Sequence, residues 1–172
     1  APRTAGVYTV TATSVTDPAR SKSASVAVTD LAGVYTYHDD LARDGANERE
    51  YALTPADVNA SGFGKLFSCP VDGLIFAQPL YMPGLVVNGV RHNVVFVATA
   101  HDSVYAFDAD TGARLWQTSL GTPIPSGVIN TPNIQVEVGI ISTPVLDPDT
   151  GTLYVVAKTY VNTGTVASPN YV

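Results

Sequence analysis

The residues best suited to do chemistry are acidic and imidazole side chains in two arrangements. Asp108 and Asp110 precede Thr111-Gly112, and Asp147 and Asp149 precede Thr150-Gly151, so an Asp-x-Asp-Thr-Gly run occurs twice. Clustered carboxylates suit a hard cation such as Ca²⁺, but both runs lack the later ligands of a calcium-binding loop. Aspartate and threonine oxygens also accept hydrogen bonds from turn N–H groups. Capping of a hairpin turn is therefore the preferred reading, and a weak structural Ca²⁺ site the alternative. His38-Asp39 and His101-Asp102 have the composition of a base beside an orienting carboxylate. Neighbours in an extended strand point to opposite faces, so neither dipeptide makes an internal dyad if extended. Turn or rim hydrogen bonding is expected of both, and their place at strand ends keeps a site role open.

Other familiar chemistry is missing. No Gly-x-Ser-x-Gly, His-Glu-x-x-His or phosphate-loop pattern occurs. Cys69 is the one cysteine, which rules out an intrachain disulfide and a thiolate metal cluster. It is expected in the core, with a bridge to a cysteine elsewhere in a longer protein as the alternative. Asn59-Ala60-Ser61 has the pattern of a glycosylation sequon and is read as an ordinary loop. With 15 acidic against 9 basic residues and a net charge of −6, the chain has no basic stripe to displace counterions, so nucleic acid is excluded as a partner.

These residues must be positioned by strands. Of the 172 residues, 45% are hydrophobic and only 14% charged, with 14 Gly and 12 Pro, a composition that favours short strands joined by tight turns. Residues 6 to 15 alternate strictly, Asp17-Pro18 signals a turn, and 24 to 29 alternate again, giving a hairpin that ends near Asp30. Thr54-Pro55 opens a short helical turn over Leu53 to Val58, and Phe63 to Phe67 reads as a brief strand. From Leu74 four strands follow in meander order: Leu74 to Met82 closed by Pro83-Gly84, then, past an Asn88-Gly89 turn, Val94 to Thr99, Ser103 to Asp108, and Arg114 to Thr118. The unit then restarts, with Gln78 matched by Thr143 after 65 positions and Phe96 by Val155 after 59. The segment Gly121 to Glu137 supplies the extra length as a linker. No apolar run reaches the length of a membrane span. The chain opens on Ala1-Pro2-Arg3 without Met or a signal peptide, and reads as a cut from a longer protein.

Residues 106 to 116, Ala-Phe-Asp-Ala-Asp-Thr-Gly-Ala-Arg-Leu-Trp, resemble the tryptophan-docking motif of pyrroloquinoline quinone (PQQ) type β-propellers, A-x-D-x-x-T-G-K-x-x-W. Ala106, Asp108, Thr111, Gly112 and Trp116 match, and Ala113 stands where the family usually has Lys. The stretches Tyr37 to Gly45, Phe63 to Phe67, Ala77 to Tyr81 and His101 to Asp108 are similar to a group of secreted bacterial quinoprotein-like propellers. Residues 6 to 29 resemble the last two strands of bacterial immunoglobulin-like repeats. The resemblance implies an all-β chain: 1–30 as the C-terminal strands of an immunoglobulin-like domain, 31–73 as a lead-in, and 74–172 as a partial propeller with its first four-stranded blade complete and its second incomplete. In that arrangement Trp116 is a wedge between blades, and Ala106 is small where a neighbour approaches. Expected partners are the remaining blades and immunoglobulin-like strands of the parent chain, and the expected location is secreted, periplasmic or cell-surface.

Two functions compete. One is a propeller without catalysis, acting as a binding or surface-interaction module; no catalytic residue is assigned. The other, implied by the resemblance alone, is a quinoprotein oxidoreductase of alcohol or sugar dehydrogenase type, whose PQQ, Ca²⁺ and catalytic Asp belong to later blades. The adjacent cysteine pair of PQQ alcohol dehydrogenases is absent here, so the cofactor stays unknown. Blades need about 40 to 50 residues and a ring at least about four of them, so this length is expected to leave apolar faces exposed and to unfold with weak cooperativity or aggregate.

Overall fold

A computed structural model describes residues 6–28, 33–48, 51, 53–56, 58–129, 131, 133–161 and 163–165. Among the described residues the fold is all-β apart from one four-residue helix, and the chain packs as two units, one drawn from 1–32 and 46–66, the other from 33–45 and 67–172. The stretch from 31 to 73 is thus shared between them.

In the first unit, β1 (Gly6–Thr13) pairs antiparallel with β2 (Ser21–Val28), Thr13 facing Ser21 and Gly6 facing Val28. Asp17 fixes the connection: its carbonyl accepts from Arg20 N at 2.9 Å and its carboxylate accepts from Arg20 Nε at 3.0 Å. Across the ladder Thr11 and Ser23 share a hydroxyl hydrogen bond of 2.8 Å. Val7 and Val10 are 63% and 58% exposed, as follows when only two strands are present to cover a face. The expected end of this hairpin near Asp30 lies outside the described residues. Val58 N donates to Thr54 O at 3.0 Å, one helical turn that does not continue, and Asp57 within it is likewise outside the described residues. Asn59 Oδ1 accepts from Ser61 N and Gly62 N, a side-chain-closed turn. The strand expected over Phe63 to Phe67 does not form; these residues have no ladder partner.

In the second unit, β3 (Leu80–Val87), β4 (Val90–Ala98), β5 (Ser103–Asp108) and β6 (Arg114–Ser119) make a four-stranded antiparallel sheet in that order. Asn88 and Gly89, with φ of 52° and 80°, form the two-residue turn between β3 and β4. Pro83-Gly84 does not turn the chain. β3 runs through it as a bulge, the register jumping between Met82 and Leu85, and Asn93 Oδ1 accepts from Gly84 N at 3.1 Å. Proline is tolerated there because β3 lies at the edge of the sheet. That edge is bridged by Val34, whose N and O bond Tyr81 O and N at 2.8 and 3.0 Å.

Alternation along β4 and β5 divides two apolar faces. Val94, Phe96, Ala98, Val104 and Ala106 share one, and Val97, Tyr105 and Phe107 the other. The first face is covered by Leu146, Ile140, Leu153, Val155 and Ala157, all from the restarted unit. There β9 (Val145–Asp147) pairs with β10 (Thr152–Tyr154), and Gln78 N donates to Thr143 Oγ1 at 3.0 Å, so two positions matched by the repeat touch each other. The expected linker contains structure of its own: β7 (Ile124–Pro125), helix α1 (Ser126–Ile129) and β8 (Glu137–Val138), with β7 paired to β8. Among the described residues the sheets stay separate, and no barrel or closed ring forms.

Candidate functional site

Asp108 closes β5 and organises the turn that follows. Its Oδ1 accepts from Asp110 N at 3.1 Å, Thr111 N at 2.8 Å and Thr111 Oγ1 at 2.8 Å, while Oδ2 meets His92 Nδ1 at 2.6 Å. The His92 hydrogen bond, then those from Thr111 and the turn backbone, push the Asp108 carboxyl down to about 2. Gly112, at φ 74°, donates its N–H to Asp108 O at 2.8 Å, and a Cβ there would come within 2.6 Å of the Phe67 ring. Cys69 lies beside it, its thiol donating to Gly112 O at 3.5 Å.

The five residues of the docking motif are therefore gathered, in two places. Asp108, Thr111 and Gly112 build the turn. Ala106 and Trp116 are direct partners across the β5–β6 ladder. Trp116 packs against the apolar face of the sheet, its ring centroid 5.9 Å from that of Phe96.

The second Asp-x-Asp-Thr-Gly run repeats the device between β9 and β10. Asp147 Oδ1 accepts from Asp149 N at 2.9 Å, Oδ2 accepts from Thr150 Oγ1 at 2.8 Å, and Gly151 N donates to Asp147 O at 2.9 Å. The Thr150 hydroxyl, then the turn N–H groups, hold the Asp147 carboxyl below its ordinary value. Asp147 thus uses its oxygens within its own turn, and Asp108 divides its two between its turn and His92 on β4. Asp110 receives Asn93 Nδ2 at 3.0 Å.

A different cluster forms at the opposite end of β4 and β5, around the turn from Thr99 to Ser103. Asp72 grips it with both oxygens, accepting Thr99 Oγ1 at 2.8 Å and Ser103 Oγ at 2.6 Å. Burial pushes the Asp72 carboxyl up, but the Ser103 and Thr99 hydroxyls outweigh it and leave it below its ordinary value. His101 Nδ1 lies 2.9 and 3.0 Å from the two carboxylate oxygens of Glu137 on β8. The Glu137 hydrogen bond raises the His101 imidazole; burial opposes this, and the charges of Glu137, Asp72 and Asp102 add to the rise. Asp102 takes a left-handed backbone, φ 56°, and its side chain is fully buried. Burial first, then the Glu137 charge, raises the Asp102 carboxyl; His101 and the Lys158 backbone N–H offset part of this.

His101-Asp102 thus makes no internal dyad: the carboxylate on His101 is Glu137, 36 positions away. Sequence reasoning missed Glu137 because it sits in a stretch read as linker. His38-Asp39 is not extended either. Both residues have positive φ, His38 Nδ1 lies 3.0 Å from Arg43 O, and the His38 ring stacks on Tyr37 at 3.9 Å. Asp39, Arg43, Tyr35 and Leu146 line a neighbouring cleft of about 440 Å³.

The chemistry these groups can do is limited. His101 oriented by Glu137 can accept or give a proton at the sheet rim, while the Thr99 and Ser103 hydroxyls of the same turn are bound to Asp72. No group of three or more His, Cys, Asp or Glu side chains is placed to hold a metal ion among the described residues. With Asp108 bound to its turn and to His92, Asp147 to its turn and Cys69 to Gly112, the donors among the described residues do not fit a PQQ and Ca²⁺ centre. No described helix is long and apolar enough to cross a membrane. Comparison with protein-family models, curated proteins and solved structures finds no match to this chain.

Proposed function

We propose that this chain is part of a secreted PQQ-like β-propeller protein and works as a binding or surface-interaction module without catalysis, its β1–β2 hairpin being the close of an immunoglobulin-like domain. One observation carries the reading. Trp116 of the β3–β6 meander and Leu153 of the restarted unit both pack against one buried cluster, which itself joins Phe96 and Ala106 of the meander to Leu146 of the restarted unit. An indole packed on a cluster shared by successive repeats is what a radial stack of four-stranded sheets requires.

The restarted unit adds support. Tyr154, at the end of β10, and Val156, just beyond it, are 59% and 74% exposed, an apolar surface that further strands would cover. The non-catalytic part rests on the use of the motif's polar residues for turn building.

The test is the parent protein expressed with its full reading frame. Electron micrographs should show a ring of sheets, and a dye-linked dehydrogenase assay with added PQQ and Ca²⁺ should show no turnover. A closed sandwich in place of the ring sinks the propeller reading; PQQ-dependent turnover sinks the non-catalytic one.

A further inference from the structure

The cleft beside Tyr35 is set apart from the two aspartate turns and from the His101 cluster, and its walls are tied together before any ligand arrives. Tyr35, Val145 and Leu146 line it with aromatic and aliphatic surface, and Asp39, Asp40 and Arg43 with charge. At about 440 Å³ it falls within the about 300–1,000 Å³ of small-ligand sites. One residue fastens both walls: Gln78 Oε1 accepts from His38 N on the loop at 3.0 Å, and Gln78 N donates to Thr143 Oγ1 just before β9 at 3.0 Å. Leu146 N donates to Tyr35 O at 2.8 Å and joins the walls directly. The loop is wound on itself, His38 O accepting from Asp40 N and Gly45 N, and Asp40 Oδ1 from Arg43 N at 2.9 Å. It holds three of the six described non-glycine residues with positive φ, His38, Asp39 and Arg43 at 57°, 77° and 58°. Backbone of that kind costs energy and collects where a segment is held in shape for a ligand.

The charges decide what fits. Among the described residues neither the Asp39 carboxylate nor the Arg43 guanidinium is hydrogen-bonded or ion-paired, so both are available to a ligand. A cation entering the cleft is opposed by Arg43, and an anion by Asp39 and Asp40. A hydroxyl escapes that conflict, because it donates to a carboxylate, which only accepts, and accepts from a guanidinium, which only donates. Both signs come from the short stretch 39 to 43, so neighbouring hydroxyls of one molecule can serve both. The apolar side adds a second demand, a C–H surface to lie on Tyr35 and Leu146. A ring with hydroxyls at its edge and C–H bonds on its face meets both demands.

We propose that this cleft binds a neutral saccharide, its hydroxyls shared between Asp39 and Arg43 and its ring face laid on Tyr35 and Leu146. The inference rests on the reading of the chain as a binding module and gives that module a site; it does not depend on the propeller. With the walls already fastened through Gln78 and the Tyr35–Leu146 hydrogen bond, little backbone has to be ordered on binding, which leaves more of the contact energy as affinity.

The experiment uses the whole chain, isotope-labelled for nuclear magnetic resonance and titrated with glucose, galactose, mannose, N-acetylglucosamine, maltose and cellobiose. At least one of them is expected to shift the amide signals of Tyr35 to Arg43 and of Leu146, with a Kd of about 0.1–10 mM. Lysine, succinate and alanine, standing for a cation, an anion and a zwitterion, are expected to shift none of these signals. Asp39→Asn and Arg43→Asn each remove one charge while keeping a residue that tolerates left-handed backbone, and each should weaken the saccharide about tenfold or more, the scale of a lost hydrogen bond to a charged group. Val145→Phe narrows the cleft from β9 without touching the loop and should weaken binding likewise, so it serves if a loop variant fails to fold. No shift with any of these saccharides, shifts that fall elsewhere on the chain, or undiminished binding in a folded Arg43→Asn or Val145→Phe overturns the proposal. Shifts at the cleft with lysine, succinate or alanine instead overturn it in favour of a charged ligand. A parent protein that forms a ring of sheets yet takes no saccharide fails this inference alone; one that binds saccharide at the cleft without forming a ring fails the propeller reading alone.

Discussion

Ala106 and Trp116 are partners across the β5–β6 ladder, the smallest side chain that still has a Cβ opposite the largest in the protein. Ala106 is fully buried while Trp116 lies over it and tilts against Phe96 at 50°. The pairing leaves the indole room to pack against the cluster that holds Leu80, Phe96 and Leu146.

Enlarging the small partner should be as damaging as removing the large one. Ala106→Leu is expected to cost about 1–3 kcal/mol through overpacking. Trp116→Ala should cost about 2–4 kcal/mol, below the about 3–5 kcal/mol of a fully buried aromatic because the indole is only half-buried. Urea unfolding followed by fluorescence of Trp116, or by circular dichroism for the alanine variant, measures both. A loss under about 0.5 kcal/mol for either, the scale of an ordinary surface change, would contradict the packing described.

Gly112 and Gly89 separate backbone strain from collision. Both have positive φ, 74° and 80°, yet an added Cβ meets the Phe67 ring at Gly112 and open space at Gly89. Gly89→Ala should cost about 1 kcal/mol for the left-handed backbone alone, and Gly112→Ala distinctly more. Thermal unfolding of the two variants side by side gives the comparison. Gly112→Ala combined with Phe67→Ala should recover the difference.

Acid sensitivity should trace to Asp108. Its carboxyl is pushed from 3.8 to about 2 by His92 and Thr111, so ionisation is favoured in the folded state. A depressed group contributes stability that is present above its unfolded value and is lost as pH falls through the folded one. Melting temperature should therefore decline between pH 3.8 and about 2 in wild type, and decline less in Asp108→Asn, which should start lower at neutral pH. Asp147, shifted the same way by Thr150, adds a smaller loss over the same direction of pH.

Asp72 is the acceptor for two buried hydroxyls, Thr99 and Ser103. Asp72→Ala leaves both without it, at about 1–3 kcal/mol for each buried group left unpaired, reduced where a hydroxyl finds a backbone carbonyl. Asp72→Asn keeps one acceptor oxygen and should lose roughly half as much by the same count. Hydrogen exchange at Thr99 to Ser103 is expected to accelerate before the rest of the sheet, which distinguishes a loosened turn from general unfolding.

The parts legible in the sequence were those decided locally. Asp-x-Asp-Thr-Gly caps its own turn twice, Asn88-Gly89 makes a two-residue hairpin, and the alternation of β5 survives intact because each signal and its answer lie within a few residues. The parts that were not legible needed a distant partner. Pro83-Gly84 carries the same signal as a turn, and Asn93 across the ladder makes it a bulge. Phe63 to Phe67 has strand composition but finds no strand to pair with. Glu137 has no motif of its own, and its tie to His101 exists only because β8 is carried to the β4–β5 turn. Burial of Asp102 is likewise a product of packing by Gly139.

The kink in β3 also gives the sheet a direction. Beyond the bridge from Val34, Pro83 offers no N–H and Gly84 has turned its own toward Asn93, so an incoming strand would lose the ladder after a residue or two. Extension or self-association by strand addition is thereby steered to β6, on the opposite flank, which makes assembly from this sheet one-sided.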